Sequence, residues 1–408
     1  MPTARRSVTR AAVAASLLPV ALLAACGGGS SGGTPAAGGS SSPSGGGAAQ
    51  GACKLSSPPT SGAKAPPATS SAKASGKVGV ILPDTTSSTR YTLYDKPLLQ
   101  KALTDAGITP DIQNAGGSTA RFQAIAQSMI GEGVKVLIID SIDATSGAAV
   151  EKQASQAGIK VIDYDRVNLG GTAQYYVAFD STDVGKLMGQ TLVDCLSADG
   201  VSNPQIIEMS GGKDVDNNAI LFANGANDVL KPLQSQGKVK ILSESIVKGW
   251  LIANAAPTFT QALTAAGGKV DGVVAANDDI ANAIIGVLKQ NGLAGHVAIT
   301  GQDSGVVGLQ NIINGQQSMT VFKNVKIEAA AAARLAIALI GGKDAASAGL
   351  TLTKFDDPKA PNHNLQALLL PTQVITQANV MDVVNAGALT VADICKGIES
   401  KCASLGIK

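Results

Sequence analysis

The chain has 408 residues, 32 Lys and Arg against 30 Asp and Glu, two histidines and a formal charge of +2. So even a balance argues against a basic nucleic-acid surface, and the scarcity of histidine argues against general acid–base chemistry. The length suffices for one large domain or for two lobes.

In chain order, Arg5, Arg6 and Arg10 precede an apolar run over 11–25. That run is shorter than the ~20 residues of a membrane span. A basic start, a short apolar run and small residues at its end mark a secretory signal. The run closes on Leu23-Ala24-Ala25-Cys26-Gly27, which resembles the bacterial lipobox. Residues 1–26 are thus expected to be a lipoprotein signal peptide, with Cys26 the lipid attachment and the protein held outside the cytoplasm on the cell membrane. Its removal takes away three arginines and no acid, leaving the rest near −1. Residues 27–75 are mostly Gly, Ser, Ala, Pro and Thr. They bury too little apolar surface to offset their ordering entropy and read as a disordered tether.

From residue 76 one unit recurs: a short apolar run ending in a polar residue, then a helical pattern. Strands are predicted over 77–82, 111–115, 134–140, 160–165, 175–180, 205–210, 239–245, 270–278, 297–303 and 318–323. Helical patterns between them include 98–106, 121–131, 184–196, 217–233 and 280–290. This alternation indicates α/β architecture with parallel sheets covered on both faces. Ten strands suit two sheets better than one. Asp140, Asp165-Arg166, Asp180, Asn277-Asp278, Asp303 and Lys323 all fall at predicted carboxyl ends of strands, where open α/β sheets bind ligands. Asp and Asn there also cap the following helix; Arg166 and Lys323 are not capping residues.

Enzyme signatures are missing: no G-x-G-x-x-G after a strand and no G-x-x-x-x-G-K-[ST]. The serine of Gly301-Gln302-Asp303-Ser304-Gly305 sits one place too late for a hydrolase elbow. No catalytic residue, metal site or cofactor is expected. With Cys26 assigned to lipid, Cys53, Cys195, Cys395 and Cys402 remain. An even number in an exported chain favours two disulfides, with three pairings open. Cys395 and Cys402 are close in sequence, which leaves Cys53 for Cys195.

The segments Tyr164-Asp165-Arg166, Val215-Asp216-Asn217-Asn218-Ala219 followed by Leu221-Phe222, Gly249-Trp250, Asn277-Asp278, Gly301-Gln302-Asp303 and Thr320-Val321-Phe322-Lys323 together resemble the type I periplasmic sugar-binding proteins of ABC importers. Within them they are similar to the D-xylose binders and to binders of several aldoses. Arg90-Tyr91 stands where the family has Arg followed by Trp, a departure. The resemblance runs from Lys77 to about Gly342 and more weakly to the C-terminus. It implies two Rossmann-like lobes joined by three crossings near Ser181, Lys323 and Ala348: 76–181 with 324–348 as the N-terminal lobe, 182–323 with 349–408 as the C-terminal lobe. It also implies a monosaccharide, D-xylose first and D-glucose next, held in the cleft by Arg90, Tyr91, Asp165, Arg166, Asp216, Asn218, Trp250, Asn277, Asp303 and Lys323. Delivery to an ABC permease by a monomer would follow.

The residue types suit that ligand on their own. Arginine and lysine only donate, aspartate only accepts and asparagine does both, which matches a ring of hydroxyls. The single tryptophan gives a flat C–H face something to stack on. Two other classes stay open. One is a sensor of the same fold that docks on a membrane receptor. The other is a secreted carbohydrate-active enzyme, for which no paired-carboxylate motif speaks. A sugar-responsive repressor would begin with a DNA-reading helix-turn-helix, where this chain has the signal and tether.

Overall fold

The computed structural model describes residues 51–60 and 73–408. The expected signal peptide, Cys26 and most of the tether lie outside these. Among the described residues thirteen strands form: β1 Lys77–Leu82, β2 Thr109–Asn114, β3 Val136–Ile139, β4 Lys160–Tyr164, β5 Tyr175–Phe179, β6 Gln205–Ser210, β7 Lys240–Ile246, β8 Gly272–Ala275, β9 Ala298–Ile299, β10 Thr320–Lys323, β11 Thr353–Phe355, β12 Leu365–Leu370 and β13 Thr372–Ile375. A seven-stranded sheet runs β11-β12-β5-β4-β3-β1-β2, a four-stranded sheet β7-β6-β8-β9, and β10 pairs with β13. All pairs are parallel except β11–β12 and β10–β13.

The first sheet divides its side chains between two apolar layers as the period of two requires. Val78, Val80, Leu82, Val136 and Ile138 face the helices Lys96–Asp105 and Val325–Ile340. Ile81, Leu137, Ile139 and Val161 face Thr119–Gly131 and Ala144–Gln156. Pro110 sits in β2, an edge strand, where no ladder donor is missed. In the second lobe the helices Ser181–Ala198 and Asn217–Ser235 cross closely. A Cβ on Gly225 would lie 2.1 Å from the carbonyl oxygen of Thr182, so only glycine allows that approach.

Three expectations need correction. Residues 349–370 do not belong to the second lobe: β11 and β12 extend the first lobe's sheet beside β5. The third crossing therefore lies at Pro371, between β12 and β13, rather than near Ala348. The others follow β5, at Ser181, and β10, at Lys323. The tether does not extend to 75 as an undocked segment. Gly51 donates to the carbonyl of Gly295, Val374 to that of Pro59, and Ala74 to that of Ala106. Lys54 pairs with Asp199 and Thr60 bridges Gln373. Disulfides join Cys53 to Cys195 and Cys395 to Cys402.

Glu208, in β6, is buried among Met188, Phe222, Ala226 and Val274. Burial, then Glu244 beside it, pushes its carboxyl from the ordinary 4.5 to about 7, against Lys231 and Lys213. A carboxyl raised on folding takes up a proton that the unfolded chain has released, so stability falls as pH rises from 4.5 to about 7. Glu208→Gln is expected to lessen that fall by roughly 2–3 kcal/mol. Urea denaturation of both proteins at pH 5 and pH 8 measures it; equal falls would place the proton elsewhere.

Candidate ligand-binding cleft

The carboxyl ends of both sheets point at one another across a cavity. Its wall contains all ten predicted residues: Arg90, Tyr91, Asp165 and Arg166 from the first lobe, Asp216, Asn218, Trp250, Asn277 and Asp303 from the second, and Lys323 from the crossing. Ser87, Ser88, Phe222 and Gln302 complete it. These four escaped the sequence reading because small, apolar and amide side chains carry little chemical signal. Phe222 and Gln302 lie inside quoted motifs, and Ser87 and Ser88 lie three and two residues before Arg90, so proximity was the available clue.

Local structure aims these groups. Asp216 and Asn277 do cap helices, accepting from the backbone N–H of Asn218 and Ile280. Their other polar atoms serve the cleft: Asp216 Oδ2 accepts from Trp250 Nε1 at 3.0 Å, and Asn277 Nδ2 donates to the carbonyl of Ser87 at 3.0 Å. Asp180 caps its helix, and Asp278 is held by Gln317 and the N–H of Gly305; neither lines the cavity. The indole of Trp250 lies edge-to-face with Phe222 at 6.5 Å. It also lies flat against Gly211, where a Cβ would come within 2.2 Å of the ring. Among the described residues five non-glycines have positive φ, and Asp165 (58°), Trp250 (57°) and Asp303 (91°) are three of them. Such conformations cost of order 1–3 kcal/mol and gather where a site over-determines the backbone.

The charges are arranged in chains. Arg90 is held by Asp95 through two hydrogen bonds, by Asp165 at 2.9 Å and by Glu328 at 2.5 Å. Four of its five N–H groups are therefore engaged by carboxylates, and its reach into the cavity is smaller than the sequence suggests. Tyr91 donates to Asp165 and accepts from Arg166. Lys323 lies 2.9 Å from Asp303 and 3.8 Å from Asp165. Burial alone would raise the Asp165 carboxyl, but Arg90, Lys323 and Arg166 hold it well below the usual carboxylate range. Burial pushes Asp216 up despite Arg166 and takes Glu328 to about 8. The wall's three carboxylates, Asp165, Asp216 and Asp303, match its three cations, Arg90, Arg166 and Lys323, so no excess positive charge awaits an anion, whereas a neutral polyol finds donors and acceptors in alternation.

The lobes touch across the cleft. Ser88 donates to Asp303 at 3.0 Å, the Thr89 N–H to Asp279 at 3.2 Å, and Asn218 Nδ2 to the carbonyl of Asp165 at 2.7 Å. This is a closed arrangement with the hinge at the three crossings. Among the described residues no group of His, Cys, Asp and Glu is placed to hold a metal ion.

Residues 78–344 match the model of the periplasmic binding protein domain. A D-xylose-binding periplasmic protein of Escherichia coli is 37% identical over 61% of this chain and 74% of its own length. A multiple sugar-binding periplasmic receptor of Rhizobium radiobacter is 34% identical over 66% of this chain and 79% of its own. A carbohydrate transporter solute-binding protein of Chloroflexus aurantiacus, solved in complex with D-glucose, superposes with a TM-score of 0.71 at 29% identity, covering 79% of this chain and 98% of its own. These relatives are named as binding proteins, not enzymes. With two parallel sheets facing each other across a cleft and three chain crossings between them, this chain belongs to the periplasmic binding protein family and has its type I fold.

Proposed function

We propose that this protein is the extracytoplasmic substrate-binding lipoprotein of an ABC sugar importer, anchored through Cys26, that closes on a monosaccharide and presents it to a membrane permease. The observation that carries the reading is the interlobe cavity, whose polar wall mixes donors and acceptors around one indole. In this reading Arg166, Asp216, Asn218, Asn277, Asp303 and Lys323 form a polar ring around the hydroxyls. Trp250 covers a C–H face of the sugar, and Arg90, Tyr91 and Asp165 support the ring from the first lobe.

D-xylose is the first choice and D-glucose the second. The relatives support it: one is named for D-xylose, and another is solved with D-glucose. The two sugars share three equatorial hydroxyls and differ by a hydroxymethyl group, which pocket size alone discriminates only about a hundredfold. Epimers leave a buried polar group unpaired at a cost of ~1–3 kcal/mol. Calorimetric titration with D-xylose, D-glucose, L-arabinose, D-galactose and D-ribose tests the assignment. D-xylose is expected at about micromolar or tighter, near −8 kcal/mol. Ribose binding far more tightly than xylose and glucose would refute it. A sensor docking on a membrane receptor is the second reading, favoured by the relative named as a receptor.

A further inference from the structure

Asp140 ends the first lobe's central strand run, one residue beyond β3, and is fully buried. Both of its carboxyl oxygens lack a hydrogen-bond partner, and so does Nε of Arg166 beside it. That Nε lies 3.6 Å from Asp140 Oδ1, on its own lobe, and 3.5 Å from Asp216 Oδ2, on the opposite lobe. The other guanidinium nitrogens are engaged on the first lobe: NH1 by the carbonyl of Ser141, NH2 by Ser87 and Tyr91. One N–H thus stands between two carboxylates, one from each lobe, and satisfies neither at hydrogen-bond distance.

We infer that Asp140 is a brake on lobe closure: it holds Arg166 in the open protein, and closing on ligand draws that donor away toward Asp216. Two physical terms act in the same direction. Opening removes Asp216 and leaves Asp140 the nearest carboxylate to Nε. Closing leaves the Asp140 carboxylate buried without hydrogen bonds, which is costly for a charge. Burial pushes its carboxyl well up, the direction expected of a charge whose nearest cation stands 3.6 Å away without a hydrogen bond. The device fits a transport protein that must stay open until a ligand arrives, because a protein that closes empty withdraws its site from solution. Asp140 does not line the cavity, so its influence on the ligand runs through Arg166 and the open–closed balance. The inference rests on the proposed function only for the identity of the ligand.

The test is Asp140→Asn, which keeps shape and removes charge. Two results are expected: at least about fivefold tighter D-xylose binding by calorimetry, and a smaller radius of gyration of the ligand-free protein by X-ray scattering, toward that of the sugar-bound wild type. A residue with a purely structural role would weaken binding when replaced, so the sign separates the two cases. Asp140→Ser, with room for water, is measured in parallel in case the amide variant is unstable. Unchanged or weaker binding with an unchanged ligand-free radius in a folded variant overturns the inference. Should wild type bind none of the aldoses, the functional reading fails, while the ligand-free radii of variant and wild type still decide on the brake.

Discussion

Arg166→Ala and Asp303→Ala are each expected to weaken sugar binding by at least about thirtyfold, with the fold retained. Arg166 touches groups from both lobes: Ser141, Ser87 and Tyr91 on one side, Asp216 on the other. Asp303 joins Ser88 of the first lobe to Lys323 of the crossing. Truncating one partner of a buried, charged hydrogen bond costs ~2–5 kcal/mol, much of it from the group left behind. In these variants those groups are Asp216 and Asp140 for Arg166, and Lys323 for Asp303, all nearly inaccessible to water. The sheets beneath are built from other residues, so the fold survives. Calorimetry paired with a melting curve checks this; unchanged affinity in both variants would remove these residues from the site.

Cys53→Ala is expected to destabilise the protein far more than Cys395→Ala. The Cys53–Cys195 bond spans 142 residues and the Cys395–Cys402 bond only 7. In the chain-entropy model the long loop contributes about 5 kcal/mol and the short one about 2.5. The comparison is made by urea denaturation without reductant, using the midpoint of each variant against wild type. Equal shifts would mean that strain or unfolded-state structure, not loop length, governs these bonds.

The cleft was legible in the sequence because its residues sit in short motifs at strand ends, where the periodicity itself locates them. Asp165-Arg166, Asp216 with Asn218, Asn277, Asp303 and Lys323 are all of this kind. Arg90 was legible as a wall residue but not as the centre of an ion-pair chain, since its partner Glu328 is 238 positions away. The lobe of residues 349–370 was hidden for a related reason. Leu365–Leu370, LQALLL, is a short, mostly apolar run without β-branched residues, whose period does not separate strand from helix. Only its pairing with β5, nearly two hundred residues earlier, fixes its place. Residues 51–60 have a tether's composition, and what docks them is a disulfide and a few backbone hydrogen bonds rather than an apolar face.

That docking decides which half of the molecule stands still. Gly295 precedes β9, and Asp199 follows the helix that starts at the first crossing. Both therefore mark the pole of the second lobe farthest from the cleft. Gly51, Cys53 and Lys54 are fastened there. A pull arriving along the chain from upstream meets a covalent bond to the second lobe before it reaches β1. In a protein held at a surface by its N-terminal segment, the second lobe is then the stator and the first lobe the rotor. Under such a tether the hinge would turn without dragging the leash, and opening would stay free of the load.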